Sequence, residues 1–318
     1  MKLSKSLLLP ILSAALLVSP VYGVNRPVEF PVTFEESDFE TKPWLKEIEW
    51  VIVVNRANEG LDKQSIRIYH DQKLVTYEEI RAYLQDVTGQ QLAARIKDPN
   101  MKERDWRVGE LGKKQWGPGI FKVSTGRNQF EAKGQHHSQH DSWTTTPTGA
   151  YVPQRFVAKH KSESYSAKMC DSALGKLVSA ITRKALCTYM ENATFFNGGI
   201  ALHKAIPGTE PVLGEKASGG CVRLPAALAE FLFKSIQQSQ GRPVPVVNPD
   251  GTVMIDPATG DYVRETSHKS TWGTIPAASA IIIVQDKVVT EQAVPAVSLD
   301  AAPVADAAIE AAIETAVN

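Results

Sequence analysis

Two short runs decide how this chain reads: Phe195-Phe196-Asn197-Gly198-Gly199-Ile200-Ala201-Leu202-His203, then Ser218-Gly219-Gly220-Cys221-Val222-Arg223-Leu224. The first is an apolar, strand-like segment that delivers a histidine; the second sets a cysteine among small residues. A thiol becomes a competent nucleophile as the thiolate, and a neighbouring imidazole is the usual way to generate one. Glycines ahead of the cysteine let a carbonyl approach closely and leave backbone N–H groups to hold an oxyanion. The pair therefore points to cysteine acyl transfer, with Cys221 as nucleophile and His203 as base.

Outward from that stretch, the whole chain bounds the possibilities. Its 318 residues include 35 Lys+Arg against 35 Asp+Glu, so no net charge steers it toward nucleic acid. Lys2 and Lys5, the apolar run Leu7–Val18 and the small residues of Val21-Tyr22-Gly23 make residues 1–23 a cleavable signal peptide. The apolar run is short for a membrane span, and no cysteine follows it to carry a lipid. Export to the periplasm or cell wall follows. In such a compartment three cysteines leave an odd thiol. Either Cys170 and Cys187 pair, leaving Cys221 free, or all three are small buried side chains.

Element by element, strands dominate. Ile48–Val54 is a β-branched run and Ser65–Tyr69 alternates, with Asn58-Glu59-Gly60 between them for a hairpin. Thr76–Ala94 has helical spacing, and Thr76 with Glu79 forms a capping box. Strands are expected at Ile120–Gly126, Asn128–Ala132, up to Val152, Ile200–His203, Val244–Val247 and Thr252–Ile255; helices at Ser172–Thr188 and Pro225–Gln238. Residues 24–45 read as an irregular N-terminal arm, and 291–318 as an acidic, Ala-rich flexible tail. The fold class is mainly β with inserted helices (α+β), in one catalytic domain over 46–290.

The order of these motifs resembles the L,D-transpeptidase (YkuD-type) catalytic domain. Ser124-Thr125-Gly126 and Thr146-Pro147-Thr148-Gly149 resemble its substrate-side strand and turn, and the two runs quoted above resemble its histidine strand and nucleophile motif. The similarity covers about residues 48–70 and 116–256. It implies a β-sandwich with the cysteine in a cleft, acting on peptidoglycan stem peptides without a metal or other cofactor. The thiolate would attack the third-residue carbonyl, expel D-alanine, and pass the acyl group to an amine, as a 3→3 cross-link or a protein attachment. Water as acceptor would make the same site an L,D-carboxypeptidase.

By the same resemblance, the Lys204 main-chain carbonyl orients His203, and the N–H groups of Gly220 and Cys221 form the oxyanion hole. Arg223 holds a substrate carboxylate or braces the loop; Ser218 and Gly219 shape the substrate side. Two positions depart from the family pattern. Gly219 stands where many members have histidine, which puts the form of the cleft in question, and Lys204 replaces a frequent glycine and could crowd one wall. Segments 71–115 and 154–190 are long for the family and could form lids. His136, His137 and His140 could ligate a metal but sit in a solvated polar loop; Trp116 and Trp143 could line the cleft or pack in the core. A wall-binding protein without catalysis is the reading from another class. Oligomeric state is not legible.

Overall fold

The computed structural model describes residues 25–84, 111–168, 170–182 and 187–290. The expected signal peptide and acidic tail, the far end of the helix expected to Ala94 and most of segment 71–115 lie outside the described residues. Strands follow in the order β1 Trp50–Asn55, β2 Ser65–His70, β3 Lys73–Leu74, β4 Gln115–Gly117, β5 Ile120–Lys122, β6 Phe130–Glu131, β7 Ser142–Trp143 and β8 Gly149–Tyr151. Then come β9 Arg155–Lys161, β10 Tyr189–Asn197, β11 Ile200–Lys204, β12 Val222–Leu224, β13 Val244–Pro245, β14 Arg264–Glu265, β15 Ser267–Ser270, β16 Gly273–Pro276 and β17 Ala280–Gln285.

A seven-stranded sheet runs β4-β5-β2-β1-β17-β8, with β3 beside β2. β1 and β2 form the expected antiparallel hairpin, and β17, more than 200 residues later, lies parallel to β1 with Trp50 opposite Ala280. All six residues of β1 are buried, which explains its unbroken β-branched composition. Because side chains alternate across a strand, Trp50, Ile52 and Val54 enter one core while Val51 and Val53 enter another.

The first core lies between this sheet and a four-stranded sheet, β12-β11-β10-β9. It is completed by the helix Ala226–Gln238, which presents Leu228, Phe231, Leu232 and Ile236 from one stripe. Each such buried side chain stabilises the fold by about 1.5–3 kcal/mol. Pro225 sits at the N-cap of that helix, and Gly241 takes a left-handed φ of 88° just beyond its end. The capping box also forms: Thr76 N donates to Glu79 Oε2 at 2.7 Å, and Glu79 N to Thr76 Oγ1 at 3.3 Å.

Two expectations need correction, and a third gains detail. The N-terminal arm is irregular apart from short helical turns, as expected, and Phe34, Phe39, Trp44 and Leu45 are buried in the second core. Segment 154–190 is not simply an added lid, because its first strand, β9, pairs with β10 along the four-stranded sheet. Its outer part carries the helix Ala173–Thr182 and a disulfide between Cys170 and Cys187, whose Cα atoms lie 5.2 Å apart. Finally, Val244–Ile255 yields one two-residue strand and isolated bridges, not two strands; Pro245 lacks the amide a longer ladder would use.

Candidate active site

Strand alternation brings the two sequence motifs together. β11 and β12 pair in parallel, Leu202 opposite Val222 and His203 opposite Arg223. Leu202, Val222 and Leu224 point into the first core. Ala201, His203, Cys221 and Arg223 therefore fall on the opposite face, where Met190, Ala193, Phe195 and Ala201 form a small cluster touching Cys221. A cavity of about 420 Å³ opens there, lined by Cys221, His203, Arg223, Gly219, Tyr165 and Met190 among others.

The nucleophile turn is held from both sides. Ser124 N donates to Arg223 O at 3.1 Å and Arg223 N to Ser124 O at 2.9 Å; Ser218 N donates to Thr125 O at 2.9 Å. The Ser124-Thr125-Gly126 segment is thus an added edge on β12. Gly126 has to be glycine, since a Cβ there would lie 2.2 Å from Thr144 O. Thr146 links the pieces, accepting from Gly126 N at 2.8 Å and donating to Gly220 O at 2.6 Å. Gly220 adopts φ 125°, a region open essentially to glycine alone. Ser218 Oγ donates to Cys221 O and accepts from Gly220 N at 3.0 Å. The Gly220 amide, expected to face an oxyanion, is consequently turned into the loop. Cys221 N–H is the remaining amide of the expected pair.

His203 is only 2% exposed, and its Nδ1 lies 2.6 Å from Lys204 O. A carbonyl can only accept, so Nδ1 carries the hydrogen and Nε2 keeps its lone pair. Burial lowers the imidazole to about 4, against smaller opposition from the Lys204 contact. Burial likewise raises the Cys221 thiol, with the Ala201 amide and Arg223 pulling the other way. At neutral pH the two groups are therefore a neutral thiol and a neutral imidazole. With Cys170 and Cys187 bonded to each other, Cys221 is the free thiol. Its sulfur contacts Gly199 O at 3.7 Å and Met190 Sδ at 3.8 Å, and makes no hydrogen bond to His203 among the described residues.

The remaining expected residues fall into place unevenly. Lys204 does not crowd the cavity: its Nζ reaches Glu191 at 2.6 Å, on the far side of the strand. Arg223 donates to Ala217 O at 3.2 Å and has no carboxylate partner among the described residues. Trp116 stacks on Lys122 at 4.0 Å, and Trp143 packs edge-on against Phe130; neither lines the cavity. His136 turns to Glu131 at 3.1 Å while His140 turns to Ser164 at 3.4 Å, so those two do not converge on one point. Cys170, Asp171 and Cys187 lie close together, but the disulfide uses both sulfurs.

Sequence reading missed the residues that brace the nucleophile loop from behind. Glu131, fully buried, is paired with Arg127, whose Nη2 lies 2.7 Å from Glu131 Oε2. Burial pushes the Glu131 carboxyl up, but the Arg127 hydrogen bond and charge more than offset it, and the net shift is downward. Arg127 also donates to Ala217 O at 2.7 Å and to Tyr165 Oη at 3.5 Å. Tyr165 explains the departure at Gly219: a Cβ on that glycine would meet Tyr165 Oη at 1.9 Å and its Cζ at 2.5 Å. The place of a side chain at 219 is taken by a phenol from the 154–190 segment. Arg127, directly after Ser124-Thr125-Gly126 and four residues before Glu131, was the available signal; Tyr165 had none.

Residues 102–255 match the family model of the L,D-transpeptidase catalytic domain, YkuD. No curated protein matches the chain. Among solved structures, an L,D-transpeptidase from Xylanimonas cellulosilytica is 14% identical, with 74% of this chain and 60% of that one covered and a TM-score of 0.32. L,D-transpeptidase 3 from Mycobacterium tuberculosis, in complex with a faropenem-derived adduct, is 13% identical, with 75% and 61% covered and a TM-score of 0.35. The chain thus spans about 60% of the length of these structures. At such scores the structural likeness is slight, and the match over 102–255 covers just under half of the chain.

Proposed function

We propose that this chain, a member of the YkuD-type L,D-transpeptidase family through residues 102–255, is an exported enzyme that cuts and rejoins peptidoglycan stem peptides through Cys221. The observation that carries the reading is the His203 imidazole: neutral, tautomerically fixed by Lys204 O, and facing the same cavity as the one free thiol.

In this reading His203 Nε2 takes the Cys221 thiol proton as the sulfur attacks the third-residue carbonyl. The tetrahedral oxyanion is met by the Cys221 amide; losing such a donor typically costs ~10²–10³ in rate. As the C–N bond breaks, imidazolium returns the proton to the leaving D-alanine amine. The thioester remains on Cys221 until an acceptor amine attacks it, with His203 again taking and returning a proton. Met190 and Gly199 O hold the sulfur before substrate enters, and a hydrogen bond to His203 forms when a peptide displaces it. Arg223, lacking a carboxylate partner, supplies positive charge for an anionic substrate. The signal peptide at 1–23 supports a site of action in the periplasm or at the cell wall.

The test is product analysis with a disaccharide-tetrapeptide donor. The wild-type protein is expected to release D-alanine and form 3→3 dimers, and Cys221→Ala to do neither. Tripeptide without dimers would move the assignment to L,D-carboxypeptidase; turnover by Cys221→Ala would overturn it.

A further inference from the structure

Tyr165 stands in the cavity for a reason that the nucleophile motif alone does not give. It follows β9 in the outer part of segment 154–190, yet its hydroxyl fills the space directly over Gly219, two residues before the nucleophile. Its backbone is fixed independently: Thr188 Oγ1 donates to Tyr165 O at 3.1 Å, and Thr188 N donates to Ser166 Oγ at 2.9 Å. Thr188 is the neighbour of Cys187, so the disulfide to Cys170 anchors the same loop.

The phenol also has a definite polarity. Arg127 can only donate, so Tyr165 Oη is the acceptor in their contact. The hydroxyl proton is left without an acceptor among the described residues. Burial raises the phenol above its ordinary value, against smaller opposition from the Arg127 charge, so it remains a donor at neutral pH. Arg223, which also lines this cavity, has no carboxylate partner, whereas the Arg127 charge is matched by Glu131. One unmatched guanidinium and one unmatched hydroxyl proton therefore face the cavity that holds the thiol.

We propose that Tyr165 is a specificity-determining residue that, together with Arg223, binds the free terminal carboxylate of the donor peptide. The inference rests on the acyl-transfer reading above and deepens it by naming the donor feature recognised. It makes Gly219 a requirement of recognition: any side chain there would evict the hydroxyl.

The experiment compares two donors, a tetrapeptide with a free terminal carboxylate and the same peptide amidated at that end. Wild-type protein is expected to prefer the free acid in kcat/KM. Tyr165→Phe, which keeps the ring and removes only the hydroxyl, should reduce kcat/KM for the free acid about tenfold or more and barely change the amide, compressing the preference. Gly219→Ala should show the same selective loss, which keeps the test open if Tyr165→Phe folds poorly. Alkylation of Cys221 by iodoacetamide at an unchanged rate in Tyr165→Phe would show that the pocket is intact. Equal losses on both donors, or none, would overturn the role of Tyr165 while leaving the acyl-transfer reading standing. Release of neither D-alanine from the free acid nor D-alanine amide from the amidated donor by wild-type protein would overturn both.

Discussion

At the scale of single residues, the contact between His203 Nδ1 and Lys204 O does the most. It selects the tautomer whose Nε2 can accept a proton, and burial keeps that nitrogen unprotonated down to about pH 4. The acid limb of kcat/KM is accordingly expected near pH 4, not near the ordinary histidine value of about 6.5. A limb at 6.5 in a pH–rate profile would contradict the buried, neutral base. Stability follows the same linkage. Between about 4 and 6.5 the unfolded chain binds the proton and the folded chain does not, so stability should decrease as the pH falls through that window. Cys221 and His203 were legible in sequence because each sits in a short motif of unusual composition. Tyr165 was not, because its place over Gly219 depends on a fold that brings together positions 54 residues apart.

At the scale of elements, the loop between β9 and β10 is the part that individualises the site. The Cys170–Cys187 disulfide spans a sequence separation of 17, and closing such a loop removes roughly 3 kcal/mol of unfolded-chain entropy. The Cys170→Ser/Cys187→Ser protein should therefore unfold at a lower temperature by calorimetry. It should also lose activity toward the tetrapeptide, since Thr188 would hold Tyr165 less firmly. An unchanged Tm with unchanged kcat/KM would show that the bridge is incidental. Sequence periodicity located the helices at Ala173–Thr182 and Ala226–Gln238 and the β1–β2 hairpin, all local patterns. It overextended the strands at 244–247 and 252–255, and it could not choose between a disulfide and buried thiols for Cys170 and Cys187, because pairing depends on how the chain returns.

At the scale of the molecule, distant segments close the structure around β1. β17 completes the central sheet in parallel with it, and the N-terminal arm covers the other face through Phe34, Phe39, Trp44 and Leu45. Gln285 Oε1 accepts from Phe34 N at 2.9 Å, and Asn55 Nδ2 donates to Lys287 O at 2.7 Å, fastening arm, hairpin and last strand together. The arm's aromatics and prolines have no periodicity, so sequence gave no sign that they complete a core. The mainly β class was legible from the many β-branched runs; the partners of each strand were not. What this framework serves is one free thiol on the cavity face of β11 and β12. The most direct test is to mix the protein with tetrapeptide donor, quench in acid, and measure the intact mass. A mass increase equal to the donor less D-alanine, located on Cys221 and absent from Cys221→Ala, is the predicted result. D-alanine release without Cys221, or an adduct on another residue, would contradict the account.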